Sequence, residues 1–496
     1  MDNLIEKIKN ISFYKDKIFW ICMLISLFFF GFLIRPEYAT DTYSDFGNDW
    51  TYIFGHFASL GRFVTAGFWA ILIGALKMKF TLAYLLSWGL GIIFFAMAMY
   101  KLYYIIKEDI SHKVVASLVS LLIIVNIFSL ELFMYFEKGI LALSVLLNVL
   151  ALEQMIKVFK GSKKNVVYVL IYMILANCCY QGTVALFVAL AVVYIVKYAK
   201  NIGDFIKKNI LVAILYAVPA LINFLFVKFA FASDRVSGQG SLMDSITLII
   251  SSIKSIFVNS FGIMPKYVFL ASLAIVAIVY LYCCIKNKDT WKEFCYNIFK
   301  YIYVVVAVIF ATVAPQLLQN TVYMVPRDTY TMASLLGITI LLAYTILKKD
   351  SKLMNYAVII VASVFIAIQY YNFVCIVSDH YTMNQMDKAV AVQIEENIKN
   401  YEEESGNHIT KVIYYQDANL AWQYPGLRTI GDANIKASFT RWSRNNIILL
   451  MTGRNMEEVL EQKEEYVQYF KQKNWDYFDA DEQLIFDKDT VHICCF

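Results

Sequence analysis

Long apolar runs constrain this chain more than any motif in it. A helix needs about 20 apolar residues to cross the ~30 Å hydrocarbon core of a bilayer. Runs of that kind recur between residues 18 and 378. Composition agrees: 59% of the 496 residues are hydrophobic and only 17% are charged, against about 25% charged in soluble domains. We read eleven spans, at about 18–34, 80–106, 114–134, 139–157, 165–179, 181–199, 209–231, 267–285, 299–318, 330–348 and 353–378. The first run follows a basic N-terminus and lacks a small-residue cleavage site, so it reads as a retained span. The expected fold is mainly α: a polytopic membrane protein with interfacial helices on its outer face and a small C-terminal soluble α/β domain.

Two segments are apolar without reading as spans. Residues 63–76, "FVTAGFWAILIGAL", are too short to cross and suit an interfacial or re-entrant element. In 242–258, Leu242, Met243, Ile246, Ile249, Ile250, Ile253, Ile256 and Phe257 recur at three- and four-residue spacing, the pattern of an amphipathic helix lying on a leaflet.

Charge sets the expected orientation. With 63–76 on the surface, one set of loops holds Lys7, Lys9, Lys163, Lys164, Lys207, Lys208, Lys348, Lys349 and further lysines. The opposite set holds far fewer basic residues, among them Arg35, Arg62, Lys138, Arg235 and Arg327. The lysine-rich side is expected to be cytoplasmic. That places the N-terminus inside, and the loop 35–62 and residues 379–496 outside; the Lys-, Ile- and Asn-rich composition suits an AT-rich bacterium, and so its plasma membrane. The net charge of +5 is scattered over loops, which argues against nucleic acid as a partner. The nine cysteines show neither zinc-site nor disulfide spacing.

Two domains follow: 1–378, membrane-embedded, and 379–496, charged and soluble. In the latter, "AVAVQIEENIKNYEEE" and "NMEEVLEQKEEYVQYFKQKN" read as helices, "KVIYY" as a strand and "QLIFDKDTVHICCF" as a hairpin turning at Asp487-Lys488-Asp489.

Polar residues collect on the outer side. The stretch "TDTYSDFGNDWTYIFGHFASLGRF" (40–63) carries Asp41, Asp45 and Asp49 at four-residue spacing, after Glu37. On one helix these acids would share a face and repel. Asp45 and Asp49 lie nearest Phe46, Trp50, Tyr52 and Phe54. A carboxylate among aromatics tends to hold its proton more tightly and suits a general base. Glu137-Lys138, Tyr180-Gln181 and Arg327 sit at outer ends of spans, where ionisable side chains are functional candidates. Arg62 and Arg327 suit a phosphate, because a guanidinium makes a two-pronged contact.

These islands resemble the membrane glucosyltransferases of the serotype-conversion type, the glucosyl transferase type II family within the type C glycosyltransferase class. The family's acidic doublet appears as Asn48-Asp49, followed by Gly61-Arg62. Its aromatic-acid turn appears as "MYFEKGILALSVLL", with Glu137 where Asp is usual and Tyr135 where Arg is usual. Its Tyr-Gln and Pro-Arg pairs appear as Tyr180-Gln181 and Pro326-Arg327. The resemblance covers about 40–350. It implies transfer of glucose or another hexose from a polyprenyl-phosphate donor to a cell-surface glycan on the outer face. Asp49 or Asp45 would be the base, and Asn48, Arg62, Glu137, Lys138, Tyr180, Gln181 and Arg327 would bind substrate. Whether a divalent metal sits between Asp45 and Asp49 stays open. The rival readings are a lipid-linked glycan polymerase or ligase, and a non-enzymatic lipid-linked glycan flippase.

Overall fold

The computed structural model describes residues 13–231, 242–286, 290–318, 322–347 and 351–496. Lys7, Lys9, Lys348, Lys349 and Arg235, which entered the orientation argument, lie outside them. The chain is mainly helical. In order come α1 (Lys17–Phe30), α2 (Thr40–Phe46), α3 (Trp50–Ser59), α4 (Phe63–Trp69), α5 (Phe80–Ile106), α6 (Lys113–Ile124), α7 (Ser129–Met134), α8 (Lys138–Phe159), α9 (Asn165–Cys179) and α10 (Ala185–Tyr198). Then follow α11 (Ile202–Phe231), α12 (Leu242–Asn259), α13 (Val268–Lys286), α14 (Trp291–Val313), α15 (Tyr330–Ala333), α16 (Leu335–Leu347) and α17 (Lys352–Ser405). The C-terminal part adds β1 (Lys411–Gln416), α18 (Arg444–Thr452), β2 (Glu457–Glu458), α19 (Glu464–Lys471), α20 (Ala480–Gln483), β3 (Leu484–Asp487) and β4 (Thr490–Cys495).

Among the described residues, eight helical segments are long and apolar enough to cross a membrane: Lys17–Ile34, Phe80–Ile106, Lys138–Phe159, Gln181–Tyr198, Ile202–Phe231, Val268–Lys286, Trp291–Leu317 and Lys352–Ser405. The runs read as spans at 114–134, 165–179 and 330–348 contain apolar helices of 10–17 residues, Lys113–Ile124, Asn165–Cys179 and Leu335–Leu347. The first of these breaks for a visible reason. After α6 the Asn126 side chain takes over the backbone's bonding: its Oδ1 accepts the Phe128 N–H at 2.9 Å, and its Nδ2 donates to the Ser334 hydroxyl at 2.9 Å. Three carbonyls at the end of α6 find side-chain donors. Ser334 Oγ reaches Ile123 O at 2.8 Å, Tyr330 Oη reaches Ile124 O at 2.6 Å, and Gln369 Nε2 reaches Val125 O at 2.7 Å. A helix break in an apolar body needs such partners, because water is not there to supply them. Segment 63–76 forms α4, which runs on into a π-helical turn at Ala70–Ala75.

Contacts divide the chain into two units. One comprises the residues up to Pro36 and Ile53–Val374; the other comprises Glu37–Tyr52 and Cys375–Phe496. No linker stands near residue 378, because α17 is continuous from Lys352 to Ser405. In the second unit a four-stranded sheet runs in the order β2-β1-β4-β3. Strand β1 lies parallel to β4, pairing Lys411 with Thr490, and β3 lies antiparallel to β4. The hairpin turns at Lys488-Asp489, with Lys488 in the left-handed region at φ 55°. Ile413, Tyr415, Phe470 and Cys494 form the core against the sheet. The stretch "NMEEVLEQKEEYVQYFKQKN" is not one helix: Glu457–Glu458 joins the sheet edge, and only Glu464–Lys471 is helical.

The segment 37–52 is held into this unit by specific bonds. Lys388 Nζ meets Glu37 Oε2 at 2.6 Å. Asn384 Oδ1 accepts from Tyr38 N at 3.0 Å and Tyr43 Oη at 2.6 Å. Asn446 Nδ2 donates to Ser44 O at 3.1 Å.

Candidate functional site

The first unit brings five distant stretches of sequence together. Gly61 makes the first corner. Its φ of 74° suits glycine, and a Cβ there would lie 2.1 Å from Asn223 Oδ1. Asn223 Nδ2 donates to Gly61 O at 2.7 Å, and Gln181 Nε2 donates to Leu60 O at 3.0 Å. This lock on residues 60–61 aims the next side chain, Arg62. Its Nη1 lies 3.4 Å from Glu137 Oε1, and its guanidinium carbon lies 4.7 Å from the centre of the Tyr180 ring. Such stacking adds roughly 0.5–2 kcal/mol where water is excluded. The Nε of Arg62 is buried and has no hydrogen-bond partner among the described residues.

Tyr180 carries the circuit onward. It sits just past α9 with an extended backbone, and its hydroxyl donates to Asp328 Oδ1 at 2.5 Å. Gly182 permits that approach, since a Cβ there would lie 2.9 Å from both Asp328 Cα and Asp328 Oδ1. Asp328 lies in a tight turn after Pro326, where Val325 O accepts from Asp328 N at 3.1 Å and Thr329 Oγ1 at 3.0 Å.

The neighbouring Arg327 closes the circuit. Its Nη1 donates to Glu131 Oε1 at 2.6 Å and to Tyr135 Oη at 2.7 Å, while its backbone N donates to Glu131 Oε2 at 2.6 Å. Glu131 is fully buried. This arginine is a phosphate-clamp candidate in the sequence, but its guanidinium is committed to Glu131. Tyr135, two residues from Glu137, shares it. Charge balance explains the commitment, because an unpaired carboxylate at that depth would be very costly.

Glu137 and Lys138 do not pair off as a turn. Glu137 faces Arg62, whereas the buried Lys138 Nζ sits 3.7 Å over the Tyr84 ring. That ammonium has no hydrogen-bond acceptor among the described residues.

The loop acids lie in the second unit, and each has its own place. Asp41 and Asp45 belong to α2, which stops at Phe46. Asp45 is buried, with 2% exposure. Asp49 is exposed and stands immediately before α3. Its Oδ1 accepts from Thr51 Oγ1 at 2.7 Å, Tyr52 N at 2.9 Å and Thr51 N at 3.1 Å. That is the bonding of a helix N-cap. The Thr51 hydroxyl, with the two N–H groups, holds the Asp49 carboxyl below the usual carboxylate range. The aromatic neighbours are expected from sequence to raise it; local hydrogen bonding to the charged form prevails over them. Asn48 Nδ2 is turned back onto Ser44 O at 2.6 Å. Among the described residues, no group of three or more His, Cys, Asp or Glu side chains is arranged to hold a metal.

The fold brings Arg62, Glu137, Tyr180, Gln181 and Arg327, which the sequence singles out, together with Glu131, Asn223 and Asp328, which it does not. Glu131 had a signal, as an acid inside an apolar run. Asp328 follows the Pro-Arg pair directly, yet nothing in its spacing links it to Tyr180. No family model, curated protein or solved structure matches this chain.

Proposed function

We propose that this protein is a membrane glycosyltransferase. It moves a hexose from a polyprenyl-phosphate donor to a cell-surface glycan on the outer face of a bacterial plasma membrane. The observation that carries the reading is the closed circuit Arg62–Glu137, Arg62–Tyr180, Tyr180–Asp328 and Arg327–Tyr135 in the first unit. Three of its properties suit the chemistry. A cation is available to the donor phosphate, since Arg62 meets Glu137 at a long 3.4 Å and keeps Nε without a partner. Carboxylates stand beside it for sugar hydroxyls. The site belongs to a unit rich in apolar helices, where a lipid-linked donor can approach from the bilayer. Arg327 serves this site by holding the 325–329 turn, with Arg62 as the phosphate-binding arginine and Glu137, Lys138, Tyr180 and Gln181 around it.

The test is transfer by the full chain in lipid vesicles, supplied with radiolabelled polyprenyl-phosphate hexoses and a glycan acceptor. Arg62→Lys keeps the charge but loses the stack on Tyr180 and the two-pronged contact. It is expected to lower kcat/KM for the donor by about tenfold, equivalent to about 1.4 kcal/mol. A wild-type protein inert with every monosaccharide donor, yet able to polymerise or translocate a lipid-linked oligosaccharide, would overturn the reading.

A further inference from the structure

We infer that Asp328 is the catalytic base of this site, taking the proton from the acceptor hydroxyl; the inference rests on the glycosyltransferase reading above. Three carboxylates belong to the circuit, and two face a guanidinium. Glu131 holds Arg327 through both oxygens, and Glu137 meets Arg62. Asp328 differs. Its Oδ1 accepts the Tyr180 hydroxyl, and its Oδ2 takes part in no hydrogen bond or ion pair among the described residues. The residue is partly exposed, unlike Glu131 and Glu137. A carboxylate reachable by substrate, and not committed to a cation, is what proton removal from a hydroxyl needs.

Its surroundings fix where it points. The turn closed on Val325 O sets the backbone, and Arg327, tied to Glu131, anchors that turn from one side. Tyr180 holds the other oxygen, and the missing side chain of Gly182 leaves room for the contact. The same Tyr180 ring carries Arg62 on its face. One residue therefore ties the position of the carboxylate to that of the phosphate-binding cation. This is the coupling a displacement needs, because nucleophile and leaving group must be placed together.

The step balances within the site. The acceptor O–H proton passes to Asp328 Oδ2, and the acceptor oxygen bonds to the anomeric carbon. The bond from that carbon to the phosphate oxygen breaks, and its electron pair leaves with polyprenyl phosphate beside Arg62. No oxidant, reductant or metal is required by this balance.

The experiment compares wild type, Asp328→Asn, Asp328→Glu and Tyr180→Phe as full chains in vesicles at matched levels. Donor binding is read separately, as protection against thermal unfolding by polyprenyl-phosphate sugar. Asp328→Asn is expected to bind donor normally and to lose about 10²–10⁴-fold in transfer. Asp328→Glu should recover part of that loss. Tyr180→Phe keeps the ring beneath Arg62 but removes the hydrogen bond that orients Asp328, so kcat should fall while donor protection stays as in wild type. This last arm still reports if Asp328→Asn fails to fold. Transfer by Asp328→Asn within threefold of wild type, or an unchanged kcat in Tyr180→Phe, would overturn the assignment. Failure of the glycosyltransferase reading looks different: the wild type itself transfers nothing.

Discussion

Arg327 and Arg454 are both held by glutamates, one in each unit, and the two neighbourhoods treat buried charge differently. Arg454 lies between Glu395 and Glu402, with its Nε 2.5 Å from Glu395 Oε2 and its Nη1 2.9 Å from Glu402 Oε1. Those acids are seven residues apart on α17 and so share a face. Nearby in the same unit, the Asp387 carboxylate accepts from Tyr424 Oη, Ser438 Oγ and the backbone N–H groups of Ala437 and Ser438. These groups are saturated, and what they do is hold α17 to the segments that follow it. Around Arg327 the charge is also paired, but two cations of the same unit each keep an atom that is not. Arg62 Nε and Lys138 Nζ have no hydrogen-bond partner among the described residues. A buried polar atom left unsatisfied costs about 1–3 kcal/mol. The Arg454 and Asp387 neighbourhoods are saturated, whereas the Arg62 and Lys138 neighbourhoods are not.

The strongest way to break this comparison is Arg327→Ala. It would strand Glu131 without its cation and should cost about 3–5 kcal/mol. The loss is measurable as reduced resistance to denaturant in detergent or lipid. The Arg327→Met/Glu131→Leu pair, which removes both charges, should recover most of it. If Arg327→Ala melts within about 1 kcal/mol of wild type, Arg327 is a ligand-binding group and not an anchor.

A smaller effect belongs to the second unit and to pH. His492 is buried on β4, its Nδ1 lies 2.9 Å from Tyr415 Oη, and burial pushes its pKa down from 6.5 to about 4. Above pH 6.5 the ring is neutral whether folded or unfolded and contributes no pH dependence. As pH falls from about 6.5 towards 4, the unfolded chain binds a proton that the folded one refuses. Stability is therefore lost in that window, by at most about 3 kcal/mol. His492→Gln should flatten this part of the unit's melting curve against pH. An unchanged slope would mean that His492 titrates normally.

The smallest effect sharpens the role of Asp49. Asp49→Ala removes the cap of α3 and should cost about 1 kcal/mol, whereas Asp49→Asn keeps a competent cap and should melt as wild type does. Equal melting of the two variants would remove the capping role and return Asp49 to the list of candidate bases.

How much of the site could be read in advance differs residue by residue. Arg62, Glu137, Tyr180 and Gln181 were legible because a polar group at the end of an apolar run is expensive, and the expense shows in the sequence. The role of Arg327 was not legible, because its partner Glu131 is 196 residues away. The spacing of Asp41, Asp45 and Asp49 suggested a shared purpose. In the fold a helix end falls between Asp45 and Asp49, and one acid is buried while the other caps the next helix.

The sequence by itself determined the class of the molecule: apolar helices long enough to cross a membrane, an amphipathic helix at Leu242–Asn259 and a C-terminal sheet with its hairpin at Lys488-Asp489. Each of these depends on periodicity or on turn chemistry within a few residues. Tertiary structure alone decided that residues 37–52 cluster with 375–496, and that Asp328 meets Tyr180 from 148 residues away. Pairing at that range depends on which surfaces pack together, and packing leaves no period in the chain from which it could be read.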